Sequence, residues 1–432
     1  MAHAGFMQAD TDADRIRWHV LRVMLVVLIL VPGLGSASAI AQPYDLLLKG
    51  GQVIDPKNGM NGPMDLAITG ERIARVATDI PASEAVTVID ASGLYVAPGL
   101  IDPHAHVFFG SDPGKSFAGG TGSVAPDAFS FRSGVTTVVD AGDAGWRNFP
   151  EFKRRVIDES ETRVLAFLNI FGDGLTSGSG RYQMDDINID KIRAMIQAHP
   201  DLIVGMRVGH FLGESWRPVE SALQAARGTG RPLLLECHLP GLPLSGLLER
   251  IRPGDIVTHA FGEVSDRTPI LDENGQLRPY VREAREKGIL FDVGPGGGSF
   301  HFSQAIPALR QGLWPDTFGT DLHRYSMNGP MKNMLNILST YLNLGMSLED
   351  VIAGGTWKAA RAIQRSDLGH LDEGTVADVV VLARRTGEYG YVDSGGTRIS
   401  GDEKLEAALT LRAGRVVWDQ NGLAATPRED EE

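Results

Sequence analysis

The strongest constraint on this chain is a recurring pattern in its middle: a short apolar run, a polar residue closing it, then an amphipathic stretch. Residues 135–140, 163–168, 202–208, 232–238, 255–259, 289–293 and 317–321 read as buried strands, and the run that ends at His104 adds an eighth. Stretches 149–158, 188–198, 217–228 and 278–287 between them carry helical periodicity. Strands apolar on both faces that alternate with helices belong to a parallel sheet covered by those helices. Eight such units predict an α/β fold, a parallel (β/α)8 barrel of the TIM type, with its chemistry at the C-terminal ends of the strands. A doubly wound open sheet is the alternative, but polar residues close nearly every strand, which favours the barrel.

Both flanks have a different texture. Residues 45–54 read as a strand, a glycine turn at Gly50-Gly51 and a second strand. Segments 65–68 and 72–76 read as a hairpin around Thr69-Gly70-Glu71, followed by strands at 87–89 and 95–97. Short strands return at 377–382, 408–411 and 415–418. The two chain ends are therefore expected to pair into a small composite β-sandwich, built from 42–97 and 366–432, beside a barrel of 98–365.

Residues 1–41 read as a signal peptide rather than as part of the fold. Arg15, Arg17 and Arg22 precede an apolar run at 23–34, and Ala37, Ala39 and Ala41 follow it. This is the basic, apolar and small-residue order of a secretory leader, and the run is short for a bilayer span. Cleavage after Ala41 starts the mature chain at Gln42, so the protein is expected to be exported, periplasmic or extracellular, without a stable membrane anchor. The net charge of −13 and the absence of a basic track argue against nucleic-acid binding. A small-molecule substrate is the expected partner, and a homo-oligomer is compatible with the sequence. Cys237 is the one cysteine, which rules out an intramolecular disulfide.

In the stretch Gly99-Leu100-Ile101-Asp102-Pro103-His104-Ala105-His106, the two histidines stand two residues apart on an extended strand and project from one face. Two imidazoles aimed at one point suit a metal ion. The other strand ends add Arg207, Glu236, His238, His259 and Asp321. Together these supply nitrogen and oxygen ligands for an ion such as Zn2+ and a carboxylate to handle protons. Cys237 points away from Glu236 and His238 and reads as a core residue.

With these residues in view the chain resembles the amidohydrolase superfamily, in particular its amidohydrolase/deacetylase branch close to dihydroorotases. The likeness is carried by 98–106, by Ser133-Gly134-Val135-Thr136-Thr137-Val138-Val139-Asp140, by Phe291-Asp292-Val293-Gly294 with Gly296-Gly297-Gly298-Ser299-Phe300, by Thr320-Asp321-Leu322-His323, and by 369–378, and it implies a distorted (β/α)8 barrel plus a composite sandwich. It implies metal-assisted hydrolysis of an amide, cyclic amide or ester. It also implies that His104, His106 and Asp321 hold the more buried ion, that His259 serves a second one, and that Asp321 takes the proton of the attacking water and passes it on. Three positions depart from the pattern. Arg207 stands where two-metal relatives carry a carboxylated lysine, and a guanidinium cannot form that carbamate. Glu236 stands where they have a histidine, with His238 two residues on, and Pro295 stands for another histidine.

Two arrangements fit. In the first, one ion sits on His104, His106, His238 and Asp321, His259 orients or polarises the water, and Glu236 pairs with Arg207 or moves protons. In the second, Glu236 bridges two ions, with His238 and His259 holding the outer one. The fixed charge of Arg207 favours one ion. The catalytic pair is then Asp321 and His259, and Asn169, Arg181, Arg207, His210, Gly297, His323 and Arg324 are candidate substrate contacts. An aminohydrolase acting on a ring C–N bond, and a binding protein with a degraded metal site, are the rival readings.

Overall fold

The computed structural model describes residues 42–176, 184–211, 214–237, 241–264 and 268–426, all within one compact unit, Ala41–Glu432. The signal segment, Arg181, His238 and the acidic tail at 428–432 lie outside the described residues.

Strands β1 (Tyr44–Asp55), β2 (Met60–Thr69), β3 (Arg72–Ala77), β4 (Ala85–Asp90) and β5 (Tyr95–Pro98) come from the N-terminal flank. The middle supplies β6 (Leu100–Ala105), β7 (Val135–Asp140), β8 (Arg163–Asn169), β9 (Ile203–Val208), β10 (Leu233–Glu236), β11 (Ile256–Thr258) and β12 (Leu290–Phe291). The C-terminal flank adds β13 (Val379–Val392), β14 (Arg398–Arg412) and β15 (Arg415–Asp419). The flanks join as expected, in one eight-stranded sheet of order β15-β14-β13-β5-β1-β2-β3 with β4 on β1. Gly50-Gly51 is not a turn. It is a bulge inside the single strand β1, and it lets the first half of β1 pair with β4 and the second half with β5. Alternation along β13 divides the sheet's faces: Val379 and Val381 enter the sheet's own apolar cluster, while Val380 and Leu382 enter the large cluster shared with the barrel.

The middle forms a seven-stranded parallel sheet running β6 to β12. Ile101, Val139, Leu165, Val204, Leu234 and Ile256, from β6, β7, β8, β9, β10 and β11 respectively, cluster with Ala359 and Ala360 of the helix Trp357–Ala362. Their neighbours, among them Val138, Met206, Val208, Leu235 and Val257, pack outward with the surrounding helices. The eighth segment closes the ring with single bridges rather than a ladder, Thr317 to Asp292 on one side and Leu322 to Ala105 on the other. Asp321 N–H donates to the His104 carbonyl at 2.6 Å and His106 N–H to the Leu322 carbonyl at 2.9 Å. Closure therefore brings the histidine pair of the first strand beside the aspartate of the last. Cys237 is buried in the outer cluster.

Candidate metal centre

Three histidines at the mouth of the barrel, His104, His106 and His259, have Nδ1 committed to a particular partner. Thr258 donates its one hydroxyl proton to Asp292 Oδ2 at 2.7 Å, so at 2.9 Å from His104 Nδ1 it accepts. Asp292 is itself held by the Thr317 hydroxyl and the Gly319 N–H, at 2.6 and 2.7 Å. His106 Nδ1 lies 2.6 Å from Asp143 Oδ1, a carboxylate that also accepts from Phe108 N–H and the Ser123 hydroxyl. His259 Nδ1 donates to the Gly294 carbonyl at 2.6 Å. With Nδ1 protonated in all three rings, the Nε2 lone pairs are free for a ligand, the arrangement that carboxylate and carbonyl partners impose on metal-binding imidazoles.

These lone pairs meet at Asp321. Its Oδ1 is 3.3 Å from His104 Nε2 and 3.0 Å from His106 Nε2, and ligand atoms of His104, His259 and Asp321 all lie within 4.8 Å of one another. Donor atoms about 2.0–2.2 Å from a tetrahedral zinc stand roughly 3.3–3.6 Å apart, close to the two spacings from Asp321 Oδ1 to His104 and His106. His104 Nε2 is buried and makes no hydrogen bond among the described residues. A buried imidazole lone pair facing a carboxylate is unfavourable unless a cation or a proton lies between them. The residues present thus fit a divalent ion.

The electrostatics agree. Burial opposes the charge on His106, but Asp143 and Asp321 outweigh it and raise the ring to about 10, so the position demands positive charge. Burial raises Asp321, yet His104, His106 and His259 hold it well below the usual carboxylate range. Burial, with His104 and Arg207 nearby, lowers His259 to about 4 and keeps it neutral. His259 and Asp321 both take left-handed backbone, at φ 61° and 51°, which is uncommon outside glycine and recurs at functional sites. Gly296 lies against Asp321, where a β-carbon would stand 2.0 Å from Oδ2. Only a glycine leaves that oxygen room.

The other side of the mouth is built differently. Arg207 points inward because Met206 and Val208 face the outer core, and its Nη2 donates to Glu236 Oε1 at 2.9 Å. His210 Nε2 is 3.0 Å from the same oxygen, and His210 N–H donates to Oε2 at 3.1 Å. Burial penalises Glu236, but His210 and Arg207 lower it to about 2. Glu236 is thereby held by Arg207 and His210 and does not belong to the converging set. Asn169 donates to the Gly142 carbonyl and accepts from Phe171 N–H, so its amide serves its own backbone. Gly297 is exposed on the loop after β12, and Arg324 is exposed with its N–H on the Gly122 carbonyl. His323 accepts from Tyr325 N–H, and its ring lies 6.0 Å from the His106 ring, tilted by 55°.

Sequence reasoning missed the partners behind the ligands. Thr258, backed by Asp292, orients His104 and Asp143 orients His106, and Asp102 ties the first strand to the last by accepting from Thr320 N–H and the Thr320 hydroxyl. Each lies within a few residues of a strand end that was singled out, but nothing local says which histidine it serves.

A barrel closed on itself, with imidazoles and a carboxylate gathered at the C-terminal ends of its strands, defines a metal-dependent hydrolase. Residues 301–417 match the model of the Amidohydrolase family. A deacetylase of Agrobacterium fabrum is 32% identical over 348 residues, which cover 79% of this chain and 83% of the relative. Among solved structures, an adenine deaminase superposes with a TM-score of 0.78 at 29% identity, over 87% of this chain and 100% of that one. A dihydroorotase superposes with a TM-score of 0.76 at 28% identity, over 87% and 99%. The chain belongs to the amidohydrolase family and is a hydrolase of carbon–nitrogen bonds other than peptide bonds.

Proposed function

We propose that this protein is an exported hydrolase that removes an acyl group from nitrogen, or opens a cyclic amide, with one zinc ion per chain. The observation that carries this reading is the convergence of the His104, His106 and His259 imidazoles, each anchored through Nδ1, on Asp321. His104, His106, His259 and Asp321 are the donors for the ion, which when bound lowers the pKa of water from about 16 toward 7 and polarises a carbonyl. Asp321 divides its work between two oxygens. Oδ1 faces the imidazoles, and Oδ2, beside Gly296, takes the proton of the water that attacks the carbonyl carbon. As the C–N bond breaks, the same carboxyl returns that proton to the leaving nitrogen. His259, neutral and anchored through Nδ1 on Gly294, keeps its Nε2 lone pair available to the ion or to its water.

One ion rather than two is supported by Arg207, whose charge is buried where a second cation would be repelled, and by Glu236, already engaged by Arg207 and His210. Export is supported by the leader-like pattern of residues 1–41, and a mature N-terminus at Gln42 in the secreted or periplasmic fraction tests it. The experiment for the activity is metal analysis of the purified chain with a substrate panel of N-acyl amino acids, cyclic imides and acyl esters. One equivalent of zinc, and hydrolysis abolished by Asp321→Asn, is the expected result. No bound metal after reconstitution, or unchanged turnover in Asp321→Asn, overturns the reading. Adenine belongs in the same panel, because of the likeness to an adenine deaminase. Ammonia release from it, with no hydrolysis of acyl compounds, favours ring deamination instead.

A further inference from the structure

The loop that follows β12 touches both halves of the proposed chemistry. The carbonyl of Gly294 receives the Nδ1 proton of His259, and Gly296 lies against Asp321 Oδ2. Both glycines hold left-handed backbone, at φ 48° and 46°, and two more glycines, Gly297 and Gly298, follow. Glycine loses more conformational freedom on ordering than any other residue, so such a loop does not hold its shape unaided. It must be tied at both ends.

Its near end is tied to the barrel, with Gly294 N–H on the Gly319 carbonyl at 3.0 Å and Gly296 N–H on the Thr320 carbonyl at 3.2 Å. Its far end is tied to the other sheet. At the turn between β13 and β14, Asp393 Oδ2 accepts from Phe302 N–H at 2.9 Å, Ser394 Oγ accepts from Phe300 N–H at 3.2 Å, and Ser394 N–H donates to the Phe300 carbonyl at 2.9 Å. His301 N–H, on the Phe261 carbonyl at 2.9 Å, adds a tie to the barrel. Asp393 is 1% exposed, and its second oxygen accepts from Gly395 and Thr397 N–H at 2.9 and 2.8 Å, closing the turn. The stem behind the turn is itself fastened to the helix Met334–Asn343, through Leu405 N–H on Ser339 Oγ and Asn343 Nδ2 on the Glu403 carbonyl, both at 2.9 Å. A solvated hairpin needs none of this. A buried aspartate at its tip with three N–H partners, one of them 91 residues away, is a clasp.

We propose that the tip of the β13–β14 hairpin is a positioning device for the metal centre: Asp393 and Ser394 hold residues 294–302, and through them His259 and Asp321. Asp393 and Ser394 act through the loop and are positioning residues. The inference rests on the reading of His259 and Asp321 as metal-holding residues.

The full chain carrying Asp393→Asn tests it. The asparagine oxygen still accepts from Gly395 and Thr397, so the turn stays closed, but the nitrogen that replaces Oδ2 cannot accept from Phe302 N–H. Zinc affinity, read by competition with a chelating dye, is expected to fall, by less than the roughly 10- to 100-fold typical of losing a direct partner of a metal ligand, because Asp393 acts through the loop. In the zinc-free protein with 15N-labelled histidine, the far-downfield Nδ1 proton of His259 is expected to shift or broaden, while that of His106, held by Asp143, stays in place. Ser394→Ala is expected to move both readouts the same way by less. Unchanged zinc affinity with an unchanged His259 resonance in Asp393→Asn overturns the proposal, and Ser394→Ala decides by the same criterion if the first variant does not fold. If the wild-type chain itself binds no zinc, the metal reading fails on its own, and the His259 resonance still decides whether the clasp positions the loop.

Discussion

The two sides of the barrel mouth handle buried charge in opposite ways. On one side, His104, His106 and Asp321 face each other with imidazole lone pairs toward a carboxylate, an arrangement that only a shared cation or proton stabilises. On the other, Arg207 and Glu236 neutralise each other directly, with His210 completing the carboxylate's partners. The first side is built to need a ligand and the second to do without one. The two sides differ in which donors have had their partner supplied by the protein: a cluster that fits a cation on one, a self-contained ion pair on the other.

The comparison breaks most sharply at Asp321. Replacing it with asparagine is expected to lower turnover by about 10³-fold, within the range for loss of a general base, with the far-UV circular dichroism unchanged. A variant with near wild-type turnover removes the functional distinction between the two sides. On the opposite side, Arg207→Met strands a buried carboxylate and is expected to destabilise the fold by about 3–5 kcal/mol in urea unfolding. Arg207→Met with Glu236→Leu is expected to regain most of that loss. If the double variant is as unstable as the single one, the pair is not self-contained.

Smaller effects sharpen the picture. Thr258→Val removes the acceptor of the His104 Nδ1 proton and is expected to weaken zinc binding by about 10- to 100-fold, whereas Thr258→Ser retains it. Equal losses in both variants point to packing rather than to tautomer control. The smallest effect concerns pH. Glu236 is lowered to about 2 from its ordinary 4.5, so its contribution to stability is complete above about 4.5 and is lost as pH falls toward 2. The stability gap between wild type and Glu236→Gln, measured by urea unfolding, is expected to be constant above pH 5 and to shrink as pH drops below 4.5. A gap that does not change with pH shows that Arg207 and His210 do not favour the ionised carboxyl.

Much of this was legible before any tertiary contact was known. The eight-unit rhythm, the β-rich flanks and the polar strand ends gave a barrel with a paired terminal sheet, because periodicity and apolar runs are local properties. His104, His106, His259 and Asp321 stood out because strand direction alone carries them to one rim. At Gly50-Gly51 the sequence predicts a turn and the structure has a bulge, since a glycine pair permits either and β1's two partners choose between them. Glu236 was left open between a bridging ligand and a partner of Arg207, because spacing along β10 gives a direction but not a partner.

The sequence by itself determined which side chains reach the rim, through two-residue alternation along each strand and the order of strands around the barrel. Only the tertiary structure decided their chemical state. His104 takes its tautomer from Thr258, 154 residues away, His106 takes its tautomer from Asp143, and the loop that anchors His259 is clasped by a hairpin from the other sheet. A hydrogen bond depends on where its partner lies in space, and separations of that length leave no periodic trace in the chain. Alternation carries a histidine to a metal centre, and its distant partner decides which nitrogen it offers.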